Sequence, residues 1–403
     1  MATSGAGGGS SSSAALAGGS ALAPPPLSVA ERALVLSALL NSDPPHRAHG
    51  RGPLEFRPIA VQTGVLPAAH GSARLTLGVG AGGGGFDTEA VTEVLVGVSV
   101  EVKKVDAGEA PVMCAVEVDP ALQHSLPAPY STETLSASLT NLLAATLSHA
   151  ASSGSSSADK DDSDAPPELF PLSQRAVIPG QSHWHFYIDA TILSLSAGNL
   201  VDATFAAVFA ALADVRIPRT RPVRFRTEEA ALSAAGGAKQ KGDELGLIKQ
   251  TRQDRAVDFE LLQDDTGLGG DPLLNWAANP VCVTVSLLPK GVLLDADATE
   301  SNVVPSQIHI IASASGHIYG IHFAGPGGFW EASAAASAEA PAEGDAKPSL
   351  PPGAWNPNES IQRGMGSRYD AVKNAIKVGV NSASSLASLL CAQIEQQQQL
   401  RAR

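Results

Sequence analysis

The chain has 403 residues, with 27 Lys+Arg against 40 Asp+Glu and a formal net charge of −13. That length suits one large or two ordinary domains. The acidic balance excludes a chain that coats a polyanion as a whole, because long-range repulsion opposes the counterion release that drives such binding, so any contact with RNA has to come from a local basic patch.

Residues 1–26 are rich in Gly, Ser, Ala and Pro and carry no Lys or Arg, so they read as a disordered tail rather than a secretory leader, and an intracellular protein is expected. Four further stretches read as disordered insertions, near 80–90, 151–167, 227–256 and 331–354. Between them the pattern alternates. Leu75 and Leu77, then Val94, Val96, Val98, Val100 and Val102, recur at period two on either side of the first insertion, as the arms of an extended hairpin would. Val112 to Val118 gives a further strand. Leu135, Leu139, Leu142, Leu143 and Leu147 share one helical face. A strand over His185 to Leu195 feeds a second helix that opens at Asn199, a good N-cap residue, carries Phe205, Val208, Phe209 and Leu212, and ends before Pro218.

The second half repeats the theme. Strands are expected over Val281 to Leu288, Val292 to Asp295, Gln307 to Ala312 and His317 to Phe323, the last two joined at Ser315-Gly316. A final amphipathic helix carries Val372, Ile376, Val380, Ala383, Leu386 and Leu390, and residues 396–403 are expected to fray. Hairpins and helices without strict alternation point to an α+β fold of mixed sheets packed with helices, in one domain spanning 27–395.

No run of apolar residues spans a bilayer; the longest, Ala203 to Ala213, is too short, so no membrane partner is expected. Cys114, Cys282 and Cys391 are odd in number and widely spaced, which fits neither a disulfide framework nor a zinc site, so no metal or other cofactor is expected. His183 and His185 share a strand face but lack a third ligand at typical spacing and read as ordinary strand residues. Asp295, Asp297 and Glu300 follow a strand, where acids are common in loops, although a carboxylate pair for general acid work has the same appearance. Gly80 to Gly85 lacks the lysine and the helix that a phosphate-cradling loop needs.

Arg216, Arg219, Arg221, Arg224 and Arg226 fall within eleven residues and are interrupted by Pro218 and Pro222. Guanidinium forks suit phosphate oxygens. The same pattern also describes a solvated edge strand, kept from self-pairing by charge and proline.

The run Leu54-Glu55-Phe56-Arg57-Pro58-Ile59, then Gly71-Ser72-Ala73-Arg74 and Val94-Leu95-Val96-Gly97-Val98, resembles the opening of RNase PH-like subunits of the eukaryotic RNA exosome. The likeness continues through Tyr187-Ile188-Asp189, Gly198-Asn199-Leu200-Val201-Asp202-Ala203, Ile217-Pro218-Arg219 and Pro280-Val281-Cys282-Val283-Thr284. Within that family the 42-type branch of ribosomal RNA-processing subunits is most similar, with the 43 and 45 types as close sisters. Where family members carry Asp-Gly-Arg, this chain has His49-Gly50-Arg51.

The resemblance implies an RNase PH-like fold (ribosomal protein S5 domain 2-like) and a place in a six-membered ring whose central channel passes single-stranded RNA. The implied partners are other RNase PH-like ring subunits, RNA-binding cap subunits, RNA and an associated catalytic ribonuclease; the implied location is nucleus, nucleolus and cytoplasm. Phosphorolytic members bind phosphate through an Asp-Ala-Gly-Thr-Arg-like run. Here Ser196-Ala197-Gly198-Asn199-Leu200 stands in its place, with Ser for the Asp and Leu for the Arg. Asp295 matches the first of two later acids, while the second falls near Ser301. A catalytically silent subunit is therefore expected, with Arg216, Arg219, Arg221, Arg224 and Arg51 as RNA contacts; the alternative is an active phosphorolytic 3′ exoribonuclease releasing nucleoside diphosphates.

Overall fold

A computed structural model of the chain describes residues 28–41, 45–47, 49–78, 91–104, 110–125, 131–152, 167–178, 180–195, 198–223, 258–262, 270–288, 291–304, 306–324 and 368–401. The tail 1–26, the insertions 80–90, 227–256 and 331–354, and residues 153–166 of the insertion placed at 151–167 lie outside the described residues, as do Arg224, Arg226, Ser196 and Ala197.

The elements in chain order are α1 (Val29–Asn41), β1 (Ile59–Thr63), β2 (Gly71–Leu77), β3 (Thr92–Lys104), β4 (Val112–Val118), α2 (Thr132–Ser152), α3 (Leu172–Arg175), β5 (Ala176–Ile178), β6 (Ser182–Leu195), α4 (Leu200–Asp214), β7 (Arg216–Pro218), β8 (Thr220–Val223), β9 (Asp258–Leu261), β10 (Gly270–Pro272), β11 (Val281–Leu288), β12 (Gly291–Leu294), α5 (Ala298–Val303), β13 (Gln307–Ala312), β14 (Ile318–Ala324) and α6 (Arg368–Arg401). The first sheet runs β1-β2-β3-β6-β4, with β5 also on β6; the second runs β12-β11-β13-β14. Two short ribbons, β7 with β10 and β8 with β9, stand apart.

Local chemistry explains this order. On β3, Val94, Val96, Val98 and Val100 are buried and their neighbours are not, so the period-two valines fix the register against β2 and β6. β4 lies parallel to β6, a pairing no tight turn can make, and α2 supplies the crossover while burying Leu135, Leu139, Leu143 and Leu147. Helix α2 reaches Ser152, so the first two residues of the insertion expected at 151–167 are helical, and Ala151, 6% exposed, belongs to the core.

Helix α4 is buried along its whole length from Leu200 to Ala213. A helix that is apolar all round needs cover on every side. The first sheet covers it through β2 and β3, and the second through β11, itself buried at every residue. Adjacent residues of β11 point to opposite faces: Thr284 bonds to Asp202 of α4, while Val285 lies under Gly379 of α6. A Cβ on Gly379 would stand 2.3 Å from Ile310 Cδ1, so the missing side chain lets α6 lie close on the sheet. α1 docks elsewhere, on a small separate core of Leu39, Leu288, Leu293, Ala296 and Val304.

The expectation of a frayed 396–403 is corrected as far as Arg401. α6 continues to Arg401, and its last turns clamp the first sheet and α4. Thr63 N donates to Gln397 Oε1 at 3.1 Å, Gln397 Nε2 donates to Val61 O, Gln398 Nε2 donates to Ala213 O at 3.2 Å, and Arg401 Nη1 meets Asp214 Oδ1 at 3.0 Å. Residues 370–401 are also long and apolar enough, by length and composition, to cross a membrane. In the fold their apolar stripe, Ala375, Ala383, Leu386, Ala387, Leu390 and Ile394, is packed into the core.

Candidate functional site

The family-like motifs meet where three segments converge: the irregular chain 45–58, the start of α4, and the turn from β12 into α5. Asp295 leaves β12 in the left-handed region at φ 47, which turns its fully buried carboxylate inward. Arg57 holds it three times, through its backbone N–H at 2.7 Å, Nε at 2.9 Å and Nη2 at 2.6 Å. Arg51 Nη1 adds a bond at 3.0 Å and Asn199 Nδ2 one at 2.8 Å. Burial opposes ionisation of Asp295, but the hydrogen bonds and charge of Arg57, with the Asn199 amide, outweigh it and hold the carboxyl below its ordinary range.

A second ion pair lies beside the first. Arg47 grips Glu300 with Nε at 2.8 Å and Nη2 at 2.6 Å, and its remaining donors reach the carbonyls of Leu294 at 3.1 Å and Asp295 at 2.7 Å. Asp297 caps α5: it accepts from Glu300 N at 2.7 Å while Glu300 Oε2 accepts from Asp297 N at 3.0 Å, a reciprocal capping box. Gly198, at φ 75, lets the start of α4 abut the start of α5; a Cβ there would stand 3.1 Å from Ala298 N.

The guanidiniums of Arg47, Arg51 and Arg57 thus face the carboxylates of Asp295 and Glu300, and Asp297, 3.4 Å from His49 Nε2, adds a third acid beside them, so three arginines meet three carboxylates. The cluster's chemistry is that of a lock between the chain's N-terminal segment and its second sheet. A phosphate dianion needs surplus positive charge, and here the chain's own acids take it up. Leu200, which the resemblance sets against an arginine of phosphorolytic members, is 1% exposed and packed in the core. Arg51 keeps donor capacity in hand, since its Nε and Nη2 are buried with no acceptor, and burial, with the nearby Arg47, makes its charge harder to hold.

The expected RNA contacts divide. Arg51 is a correction: its side chain is 10% exposed and its Nη1 is bonded to Asp295, so it turns into the fold because a carboxylate waits there. Arg216, Arg219 and Arg221 are exposed on the two ribbons, as an edge segment should be. Arg219 pairs with Asp271 at 2.7 Å, and Arg221 lies across from Glu260 in the register of β8 and β9, so acids of neighbouring strands temper this patch. His183 and His185 sit on β6, where His185 Nε2 lies 2.9 Å from Ala110 O, and they gather no third metal ligand among the described residues.

Sequence reasoning missed Arg47 and the use of Asn199. Arg47 has no motif around it, and its partner stands 253 positions away. Asn199 does open α4, but its side chain makes no cap and turns to Asp295 instead.

A profile of the 3′ exoribonuclease family, domain 1 (RNase PH), matches residues 55–218. The "Exosome complex component Rrp42" of Methanothermobacter thermautotrophicus is 29% identical over 172 residues, covering 43% of this chain and 53% of that protein. The chain therefore spans about half the length of that relative. The protein of the same name from Methanocella arvoryzae is 25% identical over 281 residues, covering 70% of this chain and 80% of that one. Among solved structures, the Archaeoglobus fulgidus exosome with RNA bound to the active site aligns with a TM-score of 0.50 at 19% identity, over 89% of this chain and 97% of that one. That likeness speaks for the fold, α+β with two sheets about a central helix. Through residues 55–218 the chain is similar to domain 1 of the RNase PH-like, 3′ exoribonuclease family.

Proposed function

We propose that this chain is a non-catalytic RNase PH-like ring subunit of an RNA exosome, which supports 3′-to-5′ RNA processing and degradation, rRNA maturation included, by shaping the RNA channel. The observation that carries the reading is the closed cluster around Asp295: in an anion-handling site the arginines would be turned toward a ligand, whereas here Arg47 and Arg57 are engaged by the chain's own carboxylates. The match of residues 55–218 to the RNase PH family and the similarity to Rrp42-named relatives support the ring role. Exposed Arg216, Arg219 and Arg221 would then touch the RNA backbone by charge rather than by base, as a channel serving many sequences requires. The proposed partners are other RNase PH-like subunits, cap subunits, RNA and a separate catalytic ribonuclease. The proposed location is nucleus, nucleolus and cytoplasm.

Gentle affinity purification of the tagged chain, followed by native mass measurement, tests the assembly. Recovery in stoichiometric amounts with other RNase PH-like chains is expected. Recovery as a monomer or homo-oligomer, or phosphate-dependent release of nucleoside diphosphates by the chain alone, would overturn the reading.

A further inference from the structure

A second buried polar cluster lies deeper in the domain, between α4 and the second sheet. Asp202, in the first turn of α4, is 4% exposed. Its carboxylate accepts from Thr284 N at 2.8 Å and Thr284 Oγ1 at 2.7 Å. Burial pushes this carboxyl up to about 6 even against the hydrogen bonds from Thr284, Asn199 and Cys282, which favour the anion, and no cation is among those partners. Cys282 is fully buried on β11, and burial together with Asp202 raises its thiol well above the ordinary value. His309 on β13 lies beside Thr284 in register, with Nδ1 2.8 Å from Thr284 Oγ1. Burial and the neighbouring His322 push its imidazole down to about 4, so it is neutral at ordinary pH.

One ligating atom from each of Asp202, Cys282 and His309 lies within 4.8 Å of the other two. An anionic carboxylate in an apolar core without a cation is costly. A thiolate, a carboxylate and a neutral imidazole together carry two negative charges, which a divalent ion would cancel. Sulfur, nitrogen and oxygen in one set suit zinc better than the hard ions calcium and magnesium. The three residues stand on a helix and two strands of the core, so the geometry is set by packing.

We propose that Asp202, Cys282 and His309 bind one zinc ion that ties α4 to β11 and β13. Binding displaces the Thr284 hydroxyl from between Asp202 and His309 and releases the Cys282 proton to solvent. Because the site is buried, the ion enters as the domain folds. This proposal does not depend on the ring assembly.

The test uses the full chain, refolded with zinc or with cobalt(II) and then dialysed free of loose metal. Zinc content by mass spectrometry, and the thiolate-to-cobalt charge-transfer absorption, are recorded for wild type, Cys282→Ser and the double variant Cys114→Ser/Cys391→Ser. In that double variant Cys282 is the only thiol left. One zinc per chain and a charge-transfer band that survives in the double variant and vanishes in Cys282→Ser are expected, with one sulfur among nitrogen and oxygen neighbours by X-ray absorption. A double variant without the band, zinc content unchanged in Cys282→Ser, or a zinc shell lacking sulfur would overturn the site. The double variant decides the matter even where Cys282→Ser fails to fold.

Discussion

Replacing Asp295 by Asn isolates the charge that holds the cluster together. The exchange keeps the shape of the side chain, and Asn tolerates the left-handed backbone at φ 47, so no conformational cost accompanies it. Arg57 and Arg51, 9% and 10% exposed, both lose their anion. Removing one partner of a buried ion pair costs about 3–5 kcal/mol, because the surviving charge stays in a poor solvent. In a domain of this size each kcal/mol lowers the melting midpoint by about 2–4 °C, so Asp295→Asn should melt about 6–20 °C below wild type. Urea unfolding followed by tryptophan fluorescence reads the same loss, since Trp184 is buried in the core. The pH dependence has a definite sign: the folded carboxyl sits below its ordinary value, so its contribution is complete above that value and disappears as pH falls through the depressed one. The gap between wild type and variant should be flat through neutral pH and close only in strong acid. A loss below about 1 kcal/mol at neutral pH, the scale of a surface pair, would refute the reasoning.

Gly71→Ala should destabilise the fold by about 1–3 kcal/mol, because the added Cβ would stand 2.8 Å from both the Ala211 carbonyl oxygen and Val215 Cα, atoms that cannot swing aside; an unchanged urea midpoint would show that α4 gives way. Ending the chain after Gln396 should cost about 1–3 kcal/mol through the lost clamp on Thr63, Val61, Ala213 and Asp214, measured by the same unfolding curve; no change would return the last turns to the status of a loose end. Arg219→Glu/Arg221→Glu should weaken single-stranded RNA binding by the purified assembly while leaving its mass intact, and should flatten the log–log salt dependence by about 1.4, which is the contribution of two phosphate contacts. An unchanged slope would assign both arginines to Asp271 and the Glu260 strand alone.

Elements with strong periodicity were legible in the sequence. The alternating valines of β3, the leucines of α2 and the Ser315-Gly316 turn between β13 and β14 follow from local spacing, and the structure has them where the pattern places them. What escaped is long-range. Arg47 and Glu300 look unremarkable in sequence and become partners only when α1 and α5 are docked, and Arg51 reads as a surface cation until the Asp295 carboxylate is brought beneath it. Asn199 carried the right signal for a helix start and the wrong inference for its side chain, since a stronger hydrogen bond to a buried acid won over capping. The polar end of α6, with four consecutive glutamines, resembles a solvated tail by composition. Only β1 and α4 supply the carbonyls and N–H groups that make those amides useful.

The grip of Gln397 on Thr63 joins residues 334 positions apart. During synthesis the chain makes β1 early, and that strand forms the outer edge of the first sheet with β2 as its neighbour there. Its far side stays without the α6 amides until residues near 397 have left the ribosome. Native contacts of such separation form late, and an uncovered strand edge is where chains meet one another wrongly. Helix α6 therefore acts as a timer: β1 is exposed to mispairing until the turns around Gln397 have emerged and closed over that edge.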